Sequence, residues 1–584
     1  MKATDYLQQM LGISPLEQEP DPSVCRGILQ TSDYVHFQIY SDVGYPLMSF
    51  DGAKKANRCL PGDHVQWNAA KEQCDLELSN EHPLLVGTLE LTNKTRYGMT
   101  RRMHPMVLFT PYDKRYPPLI VGTSEKDMTY NRVALVKVDE WPAGIQFPRG
   151  HLQHILGATG DLAAETTALI HQACPWTYRP EEVRACENPP FQDESAEERP
   201  LLEGYTFNID PACCRDVDDV FTFAPFQDTA GRTGWTVTIS ISDVTGYVED
   251  GGAVDLMASM IGQTLYDAEG RVLRPMLPAP FSEGACSLLP GKLSYAVSLQ
   301  FQWVGGQIRE PRWLLTRLHN NYSYTYEEFQ ASDSIYKEPL AEIATYLAGA
   351  PVTDAHEWVA QMMIYYNTEA GKWLKQAGQG GILRRHSSPD QERLTAMKQA
   401  GDEHLLKELG HLAFSSAEYC HAEEKETTHY GLDTDAYAHA SSPIRRYADI
   451  VNQRILKHLM GGKTEYWIVP VTMPDLNQRD KAVRRFARDM DFLRATCDPA
   501  QRTFDARIIE KTVVDDEWMT IRFYVPTWRR VISAAYKRTE TDDEVWSRDE
   551  TQRLSVPLFR EVQLTCTFDL RGRNWKERVI FSFS

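Results

Sequence analysis

The hydrophobic positions of this chain change period along its length, and the changes mark its parts. In "GILQTSDYVHFQIY" and "PGDHVQWNA" apolar and polar residues alternate on either side of turns, with Val65 and Trp67 sharing one face after Pro61-Gly62-Asp63. Short alternating runs of this kind predict the strands of a small barrel over residues 25–82. "MVLFTPYDKRYPPLIVGT", "NRVALVKVDEW" and "FPRGHLQHILG" repeat the rhythm and run into the helical "DLAAETTALIHQA", so a second barrel is expected over 83–180. Residues 181–200 are polar, acidic and proline-containing, which predicts a linker. From 201 to 498 strands mix with amphipathic helices, as in one large mixed domain. Residues 499–584 return to short strands in "FDARIIEKTVV", "WMTIRFYV", "VQLTCTFDL" and "RVIFSFS". The expected fold is multidomain α+β, a mixed α/β domain flanked by β-modules, with a leader over 1–24.

Composition narrows the class. The 584 residues suffice for several cores. No apolar run approaches a membrane span, and the first twenty residues lack the pattern of a secretory signal. Eleven cysteines occur without a CxxC pair, so neither a zinc site nor a disulfide framework is indicated. An intracellular setting follows, expected to be cytoplasmic, with no membrane partner. The net charge of −19 argues against a protein that coats itself with nucleic acid, but it leaves room for a local basic channel. A monomer is expected.

The chemistry concentrates in "IDPACCRDVDD", where Asp210, Asp216, Asp218 and Asp219 fall within one short stretch. Two carboxylates ~5 Å apart repel by roughly 3 kcal/mol at an effective dielectric near 20. Apolar residues bracket the stretch, Tyr205, Phe207 and Ile209 before it and Val220, Phe221 and Phe223 after it. They predict strand, tight loop, strand, with Pro211 forcing the bend. Carboxylates gathered there protonate or repel unless a cation sits among them, and an all-oxygen donor set suggests Mg2+ or Mn2+. The spacing alone leaves a solvated acidic loop open.

A second stretch, "AYAHASSPIRRYADIVNQRILKHLMGG", reads as a helix start. Ser441 or Ser442 suits the cap and Pro443 the first helical position, and Ile444, Tyr447, Val451, Ile455 and Leu459 recur at helical spacing. Arg445 and Arg446 then lie in the first turn, where the helix dipole disfavours cations unless an anion is near. Arginine forks beside free backbone donors suit phosphate. Pairing of both arginines to the protein's own carboxylates is the other reading.

Together "YTFNIDPACCRDVDDVF" and "HYGLDTDAYAHASSPIRRYADIVNQRIL" resemble the RNase II, or RNB, superfamily of 3'-to-5' exoribonucleases. "ISISDVTGYVEDGGAVD", "RPMLP", "ACSLLPG" and "GGILRRHSSPD" extend the likeness. "NRCLPGDHVQW" and "FTPYDKRYPPLIVGT" look like the paired cold-shock barrels of the eukaryotic, exosome-nuclease-like branch, and nothing here looks like that branch's N-terminal endonuclease domain. The resemblance implies two cold-shock OB barrels, an RNB catalytic domain over 201–498 and a C-terminal OB barrel. It also implies hydrolysis of single-stranded RNA to nucleoside 5'-monophosphates, by Mg2+ or Mn2+ in a two-metal reaction. Asp210, Asp216, Asp218 and Asp219 match the family's metal-binding aspartates, with Asp218 also catalytic. Arg445 matches the arginine at the scissile phosphate, and Arg446 the basic position beside it. Tyr266 falls where the family stacks an aromatic on RNA, and Tyr326 where it packs on the terminal nucleotide.

Departures from the pattern lie in RNA handling. "HEWVAQMMIYYN" puts Ala360 and Gln361 where the family has acids, one of which reads the terminal ribose, so Gln361 is the candidate at that place and weaker sugar discrimination is expected. Ser294 replaces a usual arginine, and "RRFARDMDF" offers no clear match for a further channel acid. Strands carrying a second aromatic clamp, expected between Tyr336 and His356, are shortened, and no counterpart to the clamp is evident. An RNA-binding protein of this fold that has lost turnover, and a docking subunit of a larger RNA-processing complex, are the alternatives. Single-stranded RNA and protein-complex partners are the expected ligands.

Overall fold

A computed structural model describes residues 25–41, 46–193, 196–378, 380–399, 409–462, 471–497 and 502–583. The expected leader over 1–24 lies outside them. The chain forms two compact units, one of the described residues up to Ala168 together with Asp569–Arg578, the other of Leu169–Phe568 with the strand after Arg578.

The first unit holds two β-modules. Strands β1 (Arg26–Thr31), β2 (His36–Tyr40), β3 (Pro46–Asp51), β4 (His64–Asn68) and β5 (Gln73–Leu78) form one sheet in the order β3-β2-β1-β4-β5. β6 (Leu85–Leu89), β7 (Met106–Pro111), β8 (Leu119–Gly122), β9 (Arg132–Val138) and β10 (Arg149–Ala158) repeat that order and close it, because β10 pairs with β9 and, in parallel, with β8. This is the strand order of an OB barrel. Helix α1 (Leu162–Ala173) follows. Its Glu165 is buried and binds Arg578, which is itself 2 % exposed. Tyr112 donates to Glu165 (2.8 Å) and accepts from Arg578 (3.2 Å), while Thr88 donates to the carbonyl of Arg573 (2.6 Å). Residues Asp569–Arg578 thus complete the core of the first unit.

In the second unit β11 (Tyr205–Asp210), β12 (Asp219–Gln227), β13 (Thr233–Ser242), β14 (Leu293–Val304), β15 (Gln307–His319) and β16 (Tyr322–Thr325) form a sheet ordered β15-β14-β13-β12-β11-β16. Thr206 and Asn208 are buried as well as Phe207 and Ile209, so β11 is covered on both faces. Helices α2 (Tyr326–Ala331), α3 (Lys337–Ala348), α4 (Ala355–Ala377), α5 (Tyr447–Met460) and α6 (Met473–Cys497) belong to this unit, and α4 buries Trp358, Met362, Tyr366, Ala370 and Leu374 in its core. Five further strands, β17 (Thr503–Val513), β18 (Trp518–Val525), β19 (Arg530–Lys537), β20 (Glu561–Phe568) and β21 (Val579–Phe583), repeat the OB order as β19-β18-β17-β20-β21.

Within the expected linker over 181–200, Phe191 stacks on Tyr295 at 3.9 Å, and Arg199 is buried against Asp243 at 2.7 Å. Two other expectations need correction. Between Tyr336 and His356 the chain forms helix α3 rather than strand, and its Leu340, Ile343 and Ala344 recur at helical spacing and are buried. The helix expected from Pro443 begins at Tyr447, with Arg446 as its N-cap, because tertiary partners take the backbone and side chains of the turn before it.

Candidate active site

The register of the sheet places the acidic loop. Asp210 closes β11 opposite Thr325 of β16, and Asp219 opens β12 opposite Ile241. Between them Cys213 adopts a left-handed φ of 66°, which lets the chain reverse. Val217 is fully buried with Val220, Leu288, Ala296 and Leu318. Its N–H donates to Ser287 Oγ (3.0 Å) and its carbonyl accepts from Leu288 N (2.9 Å), which is what "ACSLLPG" contributes. With Val217 pinned inward, its neighbours Asp216 and Asp218 are turned the other way.

The arginine turn meets this loop. Ile444 N donates to Asp218 Oδ1 (2.9 Å), and Arg445 Nε to Asp218 Oδ2 (3.3 Å). Arg445 Nη2 also reaches Ser442 Oγ (3.2 Å), while its side chain stays 49 % exposed. The segment after helix Ala253–Ile261 cradles the turn, since Thr264 N donates to the Arg445 carbonyl (3.0 Å) and Tyr447 N to the Gly262 carbonyl (2.9 Å). Two residues on, the Tyr266 hydroxyl donates to Asp216 Oδ2 at 2.6 Å. One short segment therefore positions both the arginine and a tyrosine at the rim of the carboxylates.

Electrostatics agree with the geometry. Burial pushes the Asp218 carboxyl up to about 7, against the pull of Arg445 and the Ile444 N–H. Burial, then Asp210 and Asp218, pushes Asp219 far above the ordinary carboxylate range. Asp210 is raised too, by burial first and with a contribution from Asp216. Acids that repel one another out of water, with oxygen donors only, fit a hard divalent cation. Among the described residues no three such groups already stand as a closed ligand set. Their oxygens are taken instead by Asn208 on Asp210 (2.9 Å), by the Cys214 thiol and Tyr266 on Asp216, and by Ile444 and Arg445 on Asp218.

Other candidates fall differently. Tyr326 opens α2 immediately after Thr325, and its ring stacks on His356 with centroids 3.8 Å apart. Arg446 turns inward onto Asp449 (2.8 Å) rather than standing free beside Arg445. Gln361 lies about 120° around α4 from Asn367 and lines a groove of about 890 Å³ with Tyr365, Thr368, Lys372 and Asp435. Ser294 is buried in β14, and Asp489 of α6 binds Arg530 (2.7 Å).

The sequence reading missed several supports. Asn367 donates to Tyr437 Oη (3.1 Å) and Ser441 Oγ (3.0 Å) and accepts from Ala440 N (2.9 Å), holding the strand-like approach to the arginine turn. Asp449 accepts from both Ser442 N and Arg446, each at 2.8 Å. Its position three residues after Arg446 in a helix is the signal that could have found it.

Comparison with known proteins accords with this geometry. A family model described as "RNB domain" matches residues 199–342 and 338–462, and one described as "Dis3-like cold-shock domain 2 (CSD2)" matches 106–174. "Exosome complex exonuclease RRP44 homolog A" of Arabidopsis thaliana is 26% identical over 444 residues, 61% of this chain and 46% of that protein. "Exosome complex exonuclease RRP44" of Mus musculus is 22% identical over 607 residues, 85% of this chain and 60% of that one. The chain thus spans about half the length of the curated relatives it matches. Among solved structures, Mycoplasma genitalium RNase R in complex with ribose-methylated single-stranded RNA shares the fold at TM-score 0.66 and 14% identity, covering 96% of this chain and 100% of that one. Yeast Ssd1, a pseudonuclease, does so at TM-score 0.62 and 16% identity, covering 93% and 82%. The chain carries an RNB domain, which spans the acidic loop and the arginine turn, and a Dis3-like cold-shock domain before it.

Proposed function

We propose that this protein is a metal-dependent exoribonuclease that hydrolyses single-stranded RNA from its 3' end and releases nucleoside 5'-monophosphates. The observation that carries the reading is the acidic loop, four aspartates held together with one buried to 4 % exposure. A protein that only bound RNA would gain nothing from that repulsion. Asp210, Asp216, Asp218 and Asp219 would hold one or two divalent cations, magnesium or manganese, which when bound polarise a phosphoryl oxygen and acidify a water. Asp218 is oriented by the Ile444 N–H, which keeps its other oxygen towards Arg445. Arg445, half exposed beside it, would pair with the scissile phosphate through its fork of donors. Tyr266 restrains Asp216, and Tyr326 would offer a stacking face for the terminal base, which every base can use.

Because a pseudonuclease shares the fold, the fold itself does not decide turnover, and the retained carboxylates favour the enzyme over the RNA-binding alternative. The relatives named for the exosome complex support protein-complex partners as part of the same proposal. The test is degradation of end-labelled single-stranded RNA with magnesium, on 3'-blocked and unblocked substrates. Asp218→Asn should abolish hydrolysis and leave RNA binding largely intact. Wild-type-like degradation by this variant at saturating magnesium would sink the assignment.

A further inference from the structure

Tyr326 is partly buried against the main core of its unit. Its ring lies flat on the His356 imidazole, with centroids 3.8 Å apart and planes 10° from parallel. The ring belongs beside the carboxylates by position, since Thr325 pairs with Asp210 in the parallel register of β11 and β16. Its hydroxyl is raised by burial and then by Asp210 and Asp219.

The hold on His356 is slight. It is the second residue of α4, its side chain is 60 % exposed, and its Nδ1 meets Asp354 Oδ1 at 2.8 Å, an N-cap that is equally open to water. A base stacked on Tyr326 needs about 3.4 Å of its own, so two rings 3.8 Å apart cannot admit one between them without parting. On the face that His356 covers, the imidazole and a base exclude one another.

We propose that His356 is a displaceable lid on the stacking face of Tyr326, and that it weakens binding of every 3' end by the same factor. The inference rests on the reading above that Tyr326 receives the terminal base. A base gains its place by exchanging His–Tyr stacking for base–Tyr stacking. Opening the lid costs the same whichever base enters, so affinities for purine and pyrimidine ends fall by one factor.

The test uses the full chain with Asp218→Asn, so that RNA is bound and not consumed, and RNAs ending in 2-aminopurine, adenosine or cytidine. Quenching of 2-aminopurine fluorescence reports stacking, and titration reports affinity. Adding His356→Ala should tighten binding of the cytidine-ended RNA by about 2- to 10-fold, the size of one aromatic pair contact. The adenosine-ended RNA should gain by the same factor, so the ratio between the two stays constant. His356→Trp, a larger lid, should weaken binding of both RNAs. In a Tyr326→Ala background, His356→Ala should change nothing. Unchanged or weaker binding by His356→Ala, with normal quenching in its parent, overturns the lid and makes the imidazole a supporting ring instead. Absence of any quenching that depends on the 3' end, in every variant, overturns the reading of the site itself.

Discussion

At Asp218 two demands conflict. Its backbone helps close the sheet, with Ser242 N donating to its carbonyl at 2.8 Å, while its carboxyl is buried where ionisation is opposed up to about pH 7. The folded-state pKa lies above the ordinary value of about 3.9 for an unfolded aspartate. Stability contributed at this residue is therefore present below about pH 4 and lost as pH rises through about 7. Melting in EDTA should show it: Asp218→Asn should melt above wild type at pH 8, and the gain should disappear towards pH 4. With magnesium added, only the wild type should be stabilised. Arg445 carries a separate prediction. Arg445→Ala should weaken RNA binding and slow turnover together. Arg445→Lys should rescue only in part, because a single ammonium cannot serve both Asp218 and Ser442 as the guanidinium does. Unchanged affinity and rate in Arg445→Ala would remove the turn from the site.

Helix α4 acts as a template for the chain that leads into the arginine turn. Gly371 lets it approach, since a Cβ there would lie 2.9 Å from the backbone of Tyr437 and Ala438. Gly371→Ala should therefore destabilise by about 1–3 kcal/mol, more than the helix preference of alanine returns, and activity should fall with the melting temperature. A variant that melts higher would show that the approach is not close. The elements themselves were largely legible in the sequence. Val65 and Trp67, Tyr205 and Phe207 carry strand alternation, and the acidic loop between β11 and β12 followed from Pro211 and its apolar brackets. What sequence could not reveal were competitions settled by distant residues. Pro443 reads as a first helical residue, but Asp218, Asp449 and Thr264 take the groups of its turn, so the helix starts at Tyr447. Arg445 and Arg446 look equivalent in sequence, yet one faces Asp218 and the other Asp449. Gln361 is expected at the ribose from a pattern of acids, and in the fold it lines a groove with Tyr365, Thr368 and Lys372.

On the scale of the whole molecule, the net charge of −19 makes the proposed RNA channel a local feature. Affinity for single-stranded RNA should fall with salt by a slope of about 0.7 per phosphate neutralised, and Arg445→Ala should lower that slope by about one contact. A slope near zero in the wild type would rule out a phosphate-tracking channel. The core of the first unit makes a further demand on the whole chain. Arg578→Ala leaves Glu165 buried without its guanidinium, and loss of one partner of a buried pair costs about 3–5 kcal/mol. Hydrogen exchange of β6 to β10 in this variant should rise, although the substitution lies near the other end of the sequence.

That pairing also has a consequence in time. Glu165 and Arg578 are separated by 413 positions, and a ribosome adding about 5–20 residues per second needs roughly 20–80 s to cover them. For that interval the second barrel exists with a carboxylate that has no guanidinium to meet. A nascent chain stalled before Arg578 should be open to protease at α1 and closed once Arg578 has been made, so this barrel matures only after the 413 positions beyond Glu165 have been translated.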